Sequence, residues 1–462
     1  MTKPFSRLLP LLAVIAGQAC SPSRTIGQNA VPGPIQTAAT ELLQQPGLLS
    51  AQVGICLYDP TAAAYLYNYQ GDKYFIPASN TKLFSLYAGL KYLGDSLPGA
   101  WYRETDTALF IQPSGDPTLL HPAFPRQPLI DLLKKTGKNI YLIDDNWQDR
   151  ASGRGWAWDD YNDDYAAERS PLPVYGNVIR WVQEGKKATA PDAQFDASPS
   201  FYSIPEVNWD VKFTTDTTKK AFFVQRDLNN NVFNITEGRE KYKVQDVPFI
   251  TDGASAAALL LKDTIGRSIS ILHQPQPAAA RINAPGGPGF RLLRSQPTDS
   301  LFIPMMHNSD NFFAEQTLMM VSDQRLGIMN DARIIDTLLK SDLKDLPQKP
   351  NWVDGSGLSR NDLFTPQDFV WLLNKMKNEF GLERMKVILP TGGTGTLGNY
   401  YKQDSGYIFA KTGSLSGVVA LSGYLVTKKD HVLIFSILVN NHNDPAVRRQ
   451  IETLIHMIRD RY

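Results

Sequence analysis

The sequence predicts an α+β protein in which an antiparallel sheet flanked by helices is built from both ends of the chain, with two smaller units inserted between them. Three observations predict it. Strand-like runs at 53–58 and 64–69 lead into an apolar-periodic helix that opens at Ser79. Strand-like runs at 406–411, 418–426 and 431–439 lead into a terminal amphipathic helix over 444–459, with Ile451, Leu454, Ile455 and Ile458 on its apolar face. Between these halves the pattern changes to short elements broken by many turns. At 462 residues, 42% hydrophobic and 10% aromatic, the chain can supply cores for about three domains.

The first segment is a targeting signal and not part of the fold. Lys3 and Arg7 precede an apolar run over 8–16 and then Gly17-Gln18-Ala19-Cys20, which reads as a secretion signal over 1–19, too short to span a membrane as a mature helix. Cys20 after small residues resembles the lipobox of bacterial lipoproteins, with Gly17 in place of the usual aliphatic residue. Lipidation of Cys20 is the favoured reading and simple cleavage nearby is the alternative. Ser21-Pro22-Ser23 then begins a tether, and no other segment reaches membrane-spanning length. Cys56 reads as a buried, inert thiol, with a Cys20 to Cys56 disulfide as the lesser alternative.

The sheet-forming unit is expected over 38–97 and 295–462. Its first helix carries Leu83, Phe84, Leu86, Tyr87, Leu90, Tyr92 and Leu93 and pauses at Leu93-Gly94-Asp95. The first insert, over 98–184 and 248–294, includes a strand over 177–182 and a returning helix over 249–261. The second, β-rich, covers 185–247 with strands near 222–224 and 232–235. Helices resume at 311–320 and 366–376, the latter with Thr365 as N-cap and Pro366 at the first helical position.

Three short motifs carry the chemistry: Ser79-Asn80-Thr81-Lys82, Ser309-Asp310-Asn311 and Lys411-Thr412-Gly413-Ser414. Each has an accidental echo, at Ser341-Asp342-Leu343-Lys344, Ser359-Arg360-Asn361 and Lys135-Thr136-Gly137. Context separates them. Ser341 lies in a charge-rich stretch approaching Pro347, which reads as a solvated helix end, and Gly137 closes a helix begun near Leu129, whereas Ser79 opens a buried helix and Lys411 ends a strand. A serine hydroxyl needs a base within hydrogen-bond reach, and a lysine serves only where burial or a neighbouring cation lowers its pKa. Lys82, one helical turn from Ser79 and facing Lys411, fits that need. Ser309 can relay a proton to a leaving amine and Asn311 can hold a substrate amide. Lys411, Thr412 and Ser414 make a cationic, hydroxyl-lined edge for a carboxylate, and the N–H groups of Ser79 and Ser414 suit a tetrahedral oxyanion.

With these motifs the chain resembles the penicillin-recognising serine peptidases, and within them the D-alanyl-D-alanine carboxypeptidase/endopeptidase family typified by penicillin-binding protein 4. Supporting segments are Ser114-Gly115-Asp116-Pro117-Thr118-Leu119, Gly155-Trp156-Ala157-Trp158-Asp159-Asp160, Ser170-Pro171-Leu172-Pro173-Val174-Tyr175-Gly176-Asn177 and Asp354-Gly355-Ser356-Gly357-Leu358-Ser359. The resemblance implies a β-lactamase/transpeptidase-like fold with two inserts, consistent with 230 positions between Ser79 and Ser309 against 102 between Ser309 and Lys411. It further implies Ser79 as acylated nucleophile, Lys82 as its base, Ser309 and Asn311 as the second motif, and Lys411, Thr412, Gly413 and Ser414 as the carboxylate-binding strand. The implied substrates are peptidoglycan stem peptides ending in D-Ala-D-Ala, the implied covalent inhibitors are β-lactam antibiotics, and the implied location is the periplasm or cell envelope, reached through a lipid anchor. Leu389-Pro390-Thr391-Gly392-Gly393-Thr394-Gly395-Thr396-Leu397 is richer in glycine than the resemblance leads one to expect.

Other classes are disfavoured. Net charge is +1 with no dense Lys/Arg block, so no nucleic-acid partner is expected. The six histidines show no metal-like spacing, and no metal or cofactor is expected. Gly393-Thr394-Gly395-Thr396-Leu397-Gly398 satisfies a dinucleotide pattern, but Pro390 interrupts its approach and it reads as a loop. Trp156, Trp158, Tyr161, Tyr165 and Tyr175 could stack on a sugar, though packing is the favoured reading. A serine β-lactamase is the rival enzyme, and Glu315, Glu379 and Glu383 sit in no segment like the class A deacylation loop. A catalytically idle peptidoglycan-binding module is the rival outside enzymes.

Overall fold

The computed structural model describes residues 33–185, 199–214, 221–272 and 287–462. The signal over 1–19 and Cys20 lie outside the described residues.

Strand β1 (Gln52–Asp59) is buried on both faces for most of its length, so it takes an interior position, between β2 (Ala64–Tyr69) and β16 (Val432–Asn440). Strands β14 (Ile408–Leu415) and β15 (Val418–Val426) complete a five-stranded antiparallel sheet in the order β14-β15-β16-β1-β2. Period-two alternation sends Leu433, Phe435, Ile437 and Val439 to one face, where they meet α1 (Gly33–Leu43) and α10 (Val447–Arg461). Ile434 and Leu438 turn to the other, in the cluster built with α2 (Lys82–Tyr92), α5 (Thr298–His307), α6 (Asn311–Leu326) and α8 (Pro366–Phe380). Thr365 caps α8, as the sequence predicts, and Asp368 completes a reciprocal box beyond that expectation. The remaining helices of this half are α7 (Asp331–Lys340) and α9 (Leu382–Ile388).

Between α2 and α5 a second five-stranded sheet runs β12-β5-β4-β3-β13, from β3 (Ser96–Glu104), β4 (Ala108–Pro113), β5 (Asn139–Ile143), β12 (Ile269–Leu272) and β13 (Arg291–Pro297). It packs with α3 (Pro128–Lys135) and α4 (Ser255–Ile265). Strands β6 (Val178–Glu184), β7 (Ser200–Ile204) and β11 (Tyr242–Pro248) form a three-stranded sheet, and β8 (Val211–Thr214), β9 (Phe223–Arg226) and β10 (Phe233–Thr236) form another. The strand expected over 177–182 in the first insert is β6, and it pairs instead with β7 and β11 from the β-rich tract. A short apolar run specifies burial but not its partner. The helix expected over 249–261 begins later, at Ser255, because Asp252 and Gly253 both take left-handed backbone conformations and break the approach.

Cys56 is a buried free thiol facing Asn68 Oδ1 at 3.3 Å. Among the described residues no helix is long and apolar enough to cross a membrane. Ser341 ends α7 and Lys135 ends α3, so the echo motifs at both places are helix termini.

Candidate active site

The nucleophile motif does not begin as an α-helix. Ala78–Thr81 is a 3-10 turn and α2 starts at Lys82, because Ala78 is held at φ +48°, outside the helical region for an L-residue. Two anchors fix this turn on the sheet: Asn80 Nδ2 donates to Ser422 Oγ (2.7 Å), and Asn440 clasps the Ile76 backbone through both its amide atoms (2.7 and 3.0 Å). Gly413 lets β14 approach, since a Cβ there would stand 2.6 Å from the Pro77 carbonyl. Gly357 does the same opposite the Ala78 carbonyl.

The turn still brings Lys82 beside Ser79. Lys82 Nζ lies 2.9 Å from Ser79 Oγ and also donates to Asn311 Oδ1 (2.6 Å) and the Ser356 carbonyl (2.8 Å). Burial lowers its pKa from the ordinary lysine value to about 8, against the opposing pull of Asp354, Asp310 and Glu315. Asp310 caps α6 by accepting from Phe313 N (2.9 Å), which sets Asn311 at the helix start, and Asn311 Nδ2 donates to the Tyr165 carbonyl (3.0 Å). Ser309, at φ +59°, accepts from Lys411 Nζ at 2.9 Å, and Lys411 also donates to the Thr412 carbonyl (2.7 Å). Lys411 is fully buried, and burial followed by the charge of Lys82 holds its pKa well below the lysine range.

The five residues are therefore held in two hydrogen-bonded sets, Ser79 with Lys82 and Asn311, and Ser309 with Lys411. Beside them opens a cavity of about 300 Å³ lined by Ser79, Ser309, Thr412, Gly413, Ser414 and residues of α10 and the glycine-rich loop. That loop curls over α5: a Cβ on Gly395 would stand 2.7 Å from the His307 carbonyl, and Thr396 and Leu397 reach the cavity wall. Gly392 and Gly395 thus answer to crowding and Gly393 to a φ of +81°, and the dinucleotide-like pattern is a loop with a 3-10 turn over Gly395–Leu397.

Behind Lys82 lies a buried polar network. Asp354 accepts from Gly357 N and Ser359 N (2.7 Å each) and from Trp156 Nε1 (3.0 Å), while Glu315 accepts from Ser356 N (2.8 Å) and faces Arg169. Burial pushes Glu315 upward. Trp156 thereby packs into the network, whereas Trp158 is 77% exposed, so the expected packing role holds for one and not the other. Sequence patterns give no sign of the Ser356 and Tyr165 carbonyls, since backbone acceptors have no side-chain signature. They also give no sign of Arg448, one of several arginines on an amphipathic helix, which lines the cavity and donates to Ser414 Oγ (2.7 Å). Glu379 pairs with Lys91 and Lys375, Glu383 pairs with Lys386, and among the described residues no carboxylate lines the cavity. No group of three metal-ligating side chains stands together among the described residues.

Known proteins resemble the chain at several levels. The chain is 26% identical over 458 residues to the D-alanyl-D-alanine carboxypeptidase of Actinomadura sp. (strain R39), covering 88% of this chain and 80% of that protein. It is 23% identical over 417 residues to the carboxypeptidase DacB of Haemophilus influenzae, covering 81% and 82%. The crystal structure of penicillin-binding protein 4 from Haemophilus influenzae superposes with a TM-score of 0.69 at 20% identity, over 91% of this chain and 98% of that one, which places the chain in the β-lactamase/transpeptidase-like fold. Residues 35–462 match the model of the D-Ala-D-Ala carboxypeptidase 3 (S13) family, and the chain belongs to that family.

Proposed function

We propose that this chain is a serine D-alanyl-D-alanine carboxypeptidase, with endopeptidase action on peptidoglycan cross-links, working through an acyl-enzyme on Ser79. The observation that carries the reading is the 2.9 Å contact between Ser79 Oγ and a buried Lys82 whose pKa is lowered to about 8. Neutral Lys82 takes the Ser79 proton as Oγ attacks the penultimate D-alanyl carbonyl. The N–H groups of Ser79 and Ser414 receive the oxyanion, and Asn311 holds the substrate amide. Ser309, bonded to Lys411, passes a proton to the departing amine, so D-alanine leaves and water then cleaves the ester, restoring the Ser79 hydroxyl. Thr412, Gly413 and Ser414 bind the terminal carboxylate. A β-lactam opens in the same way, but its leaving amine stays tethered, and with no carboxylate on the described cavity wall to activate water its adduct is long-lived.

Two measurements on one preparation test this. Fluorescent penicillin is expected to label the wild type and not Ser79→Ala, with the mass increment on the peptide containing Ser79, and muropeptides ending in D-Ala-D-Ala are expected to release D-alanine. An adduct on another serine overturns the assignment. Fast multiple-turnover penicillin hydrolysis without D-alanine release moves the chain to the β-lactamase reading.

The envelope location, the cleaved signal over 1–19 and the lipid on Cys20 belong to the same proposal and rest on the sequence pattern. So does a division into a catalytic unit over 38–97 and 295–462 and two inserts. Palmitate incorporation that persists in Cys20→Ala overturns the anchor.

A further inference from the structure

The charge that a terminal carboxylate calls for is not freely presented by the motif lysine. Lys411 is fully buried and directs its Nζ to Ser309 Oγ and the Thr412 carbonyl, and its pKa is held well below the lysine range. Thr412 and Ser414 add hydroxyls but no charge. A guanidinium reaches the same cavity from elsewhere. Arg448 stands in the first turn of α10, is exposed, lines the cavity and donates to Ser414 Oγ at 2.7 Å.

Its neighbours are committed otherwise. Arg449 is paired with Glu452 (2.6 Å), donates to the Asn399 carbonyl and stacks on Tyr400, and Arg459 is paired with Asp404 (2.9 Å). Among the described residues Arg448 has no carboxylate within ion-pair distance, and the first turn of α10 holds no acidic residue. Asp444 already meets the start of α10, accepting from Ala446 N at 2.8 Å, but it makes no ion pair with Arg448, so an anion in the cavity would meet the guanidinium itself. Arginine stays charged at any working pH and presents a planar fork, of which the Ser414 contact uses one edge.

We propose that Arg448 is a specificity-determining residue of the Ser79 site. It binds the free carboxylate of the C-terminal D-residue of the substrate, and the matching carboxylate of a penicillin, so that the enzyme prefers a free acid to an amide or ester. The proposal rests on the carboxypeptidase reading.

The test uses the full chain and two matched ligand pairs: a blocked Lys-D-Ala-D-Ala peptide with its C-terminal amide, and benzylpenicillin with its methyl ester. Arg448→Gln is expected to lower kcat/KM for the free-acid peptide, and the acylation rate constant for the free-acid penicillin, by about tenfold or more, mainly through binding, while the amide and ester change by about twofold at most. Arg448→Lys is expected to fall between, since it keeps charge but loses the fork. The melting temperature is expected to stay unchanged because the side chain is exposed. Equal losses on both members of each pair, or no loss on either, overturn the proposal. A wild type that neither acylates nor turns over any of the four ligands overturns the carboxypeptidase reading and the proposal with it, so the two failures are distinguishable.

Discussion

The pH dependence of acylation tests the lysine base most directly. Lys82 acts only when neutral, so acylation rises with pH and levels off above its pKa. With that pKa at about 8, roughly one amine in ten is neutral at pH 7 and nine in ten at pH 9, so the rate constant gains about tenfold across this interval and then flattens. A lysine with an ordinary pKa would gain about a hundredfold over the same interval and still be climbing at pH 10. Stopped-flow acylation by a chromogenic β-lactam from pH 6 to 10 reads the profile. Lys411 is also depressed, so the assignment needs Lys82→Ala, which is expected to remove the rising limb and slow acylation by about two to four powers of ten. A flat profile, a rise that continues to pH 10, or a limb that survives in Lys82→Ala would refute Lys82 as the base.

Gly413→Ala places a Cβ 2.6 Å from the Pro77 carbonyl, so β14 or the nucleophile turn has to shift; acylation is expected to fall by about ten- to a hundredfold with the fold retained, measured by penicillin labelling rate and circular dichroism. Arg169→Met leaves Asp331 (2.6 Å), Asp149 (3.1 Å) and Glu315 (3.5 Å) buried without their shared cation, and urea unfolding is expected to show a loss of about 3–5 kcal/mol at neutral pH. That loss should narrow toward acid pH, as the carboxyl groups protonate. Ser341→Ala, at the exposed end of α7, is expected to leave labelling and D-alanine release at wild-type levels.

The placement of the motif residues was the most legible part of the sequence, because a serine with a lysine one turn on, and a glycine between hydroxyls, leave distinct local traces in helix, loop and strand. Ser79 with Lys82, and Ser309 with Lys411, stand where those traces imply. The capped start of α8 was equally legible, since Thr365 and Pro366 are neighbours in the chain. What was lost depends on distant partners. The pairing of β6 is decided by partners 16 to 24 residues further along the chain at β7 and 58 to 70 at β11, and the late start of α4 by two left-handed residues, Asp252 and Gly253. Arg448 was lost for the same reason: only the packing of α10 against the sheet brings it to Ser414.

The placement of β1 between β2 and β16 also sets the order in which this molecule can be made. Ile55 pairs with Ile437, and α1 packs on α10, so the strand leading to the nucleophile has no neighbour on that side until almost the whole chain is present. Strands β3 to β13, by contrast, come from one contiguous stretch, Ser96 to Pro297, and can close their own ladders first. Contacts of such sequence separation are slow to form and leave apolar strands waiting. A growing or truncated chain therefore carries the sheet of β3, β4, β5, β12 and β13 before it carries a catalyst, and the serine cannot meet Lys411 in an early-folded fragment that would attack the wall ahead of schedule.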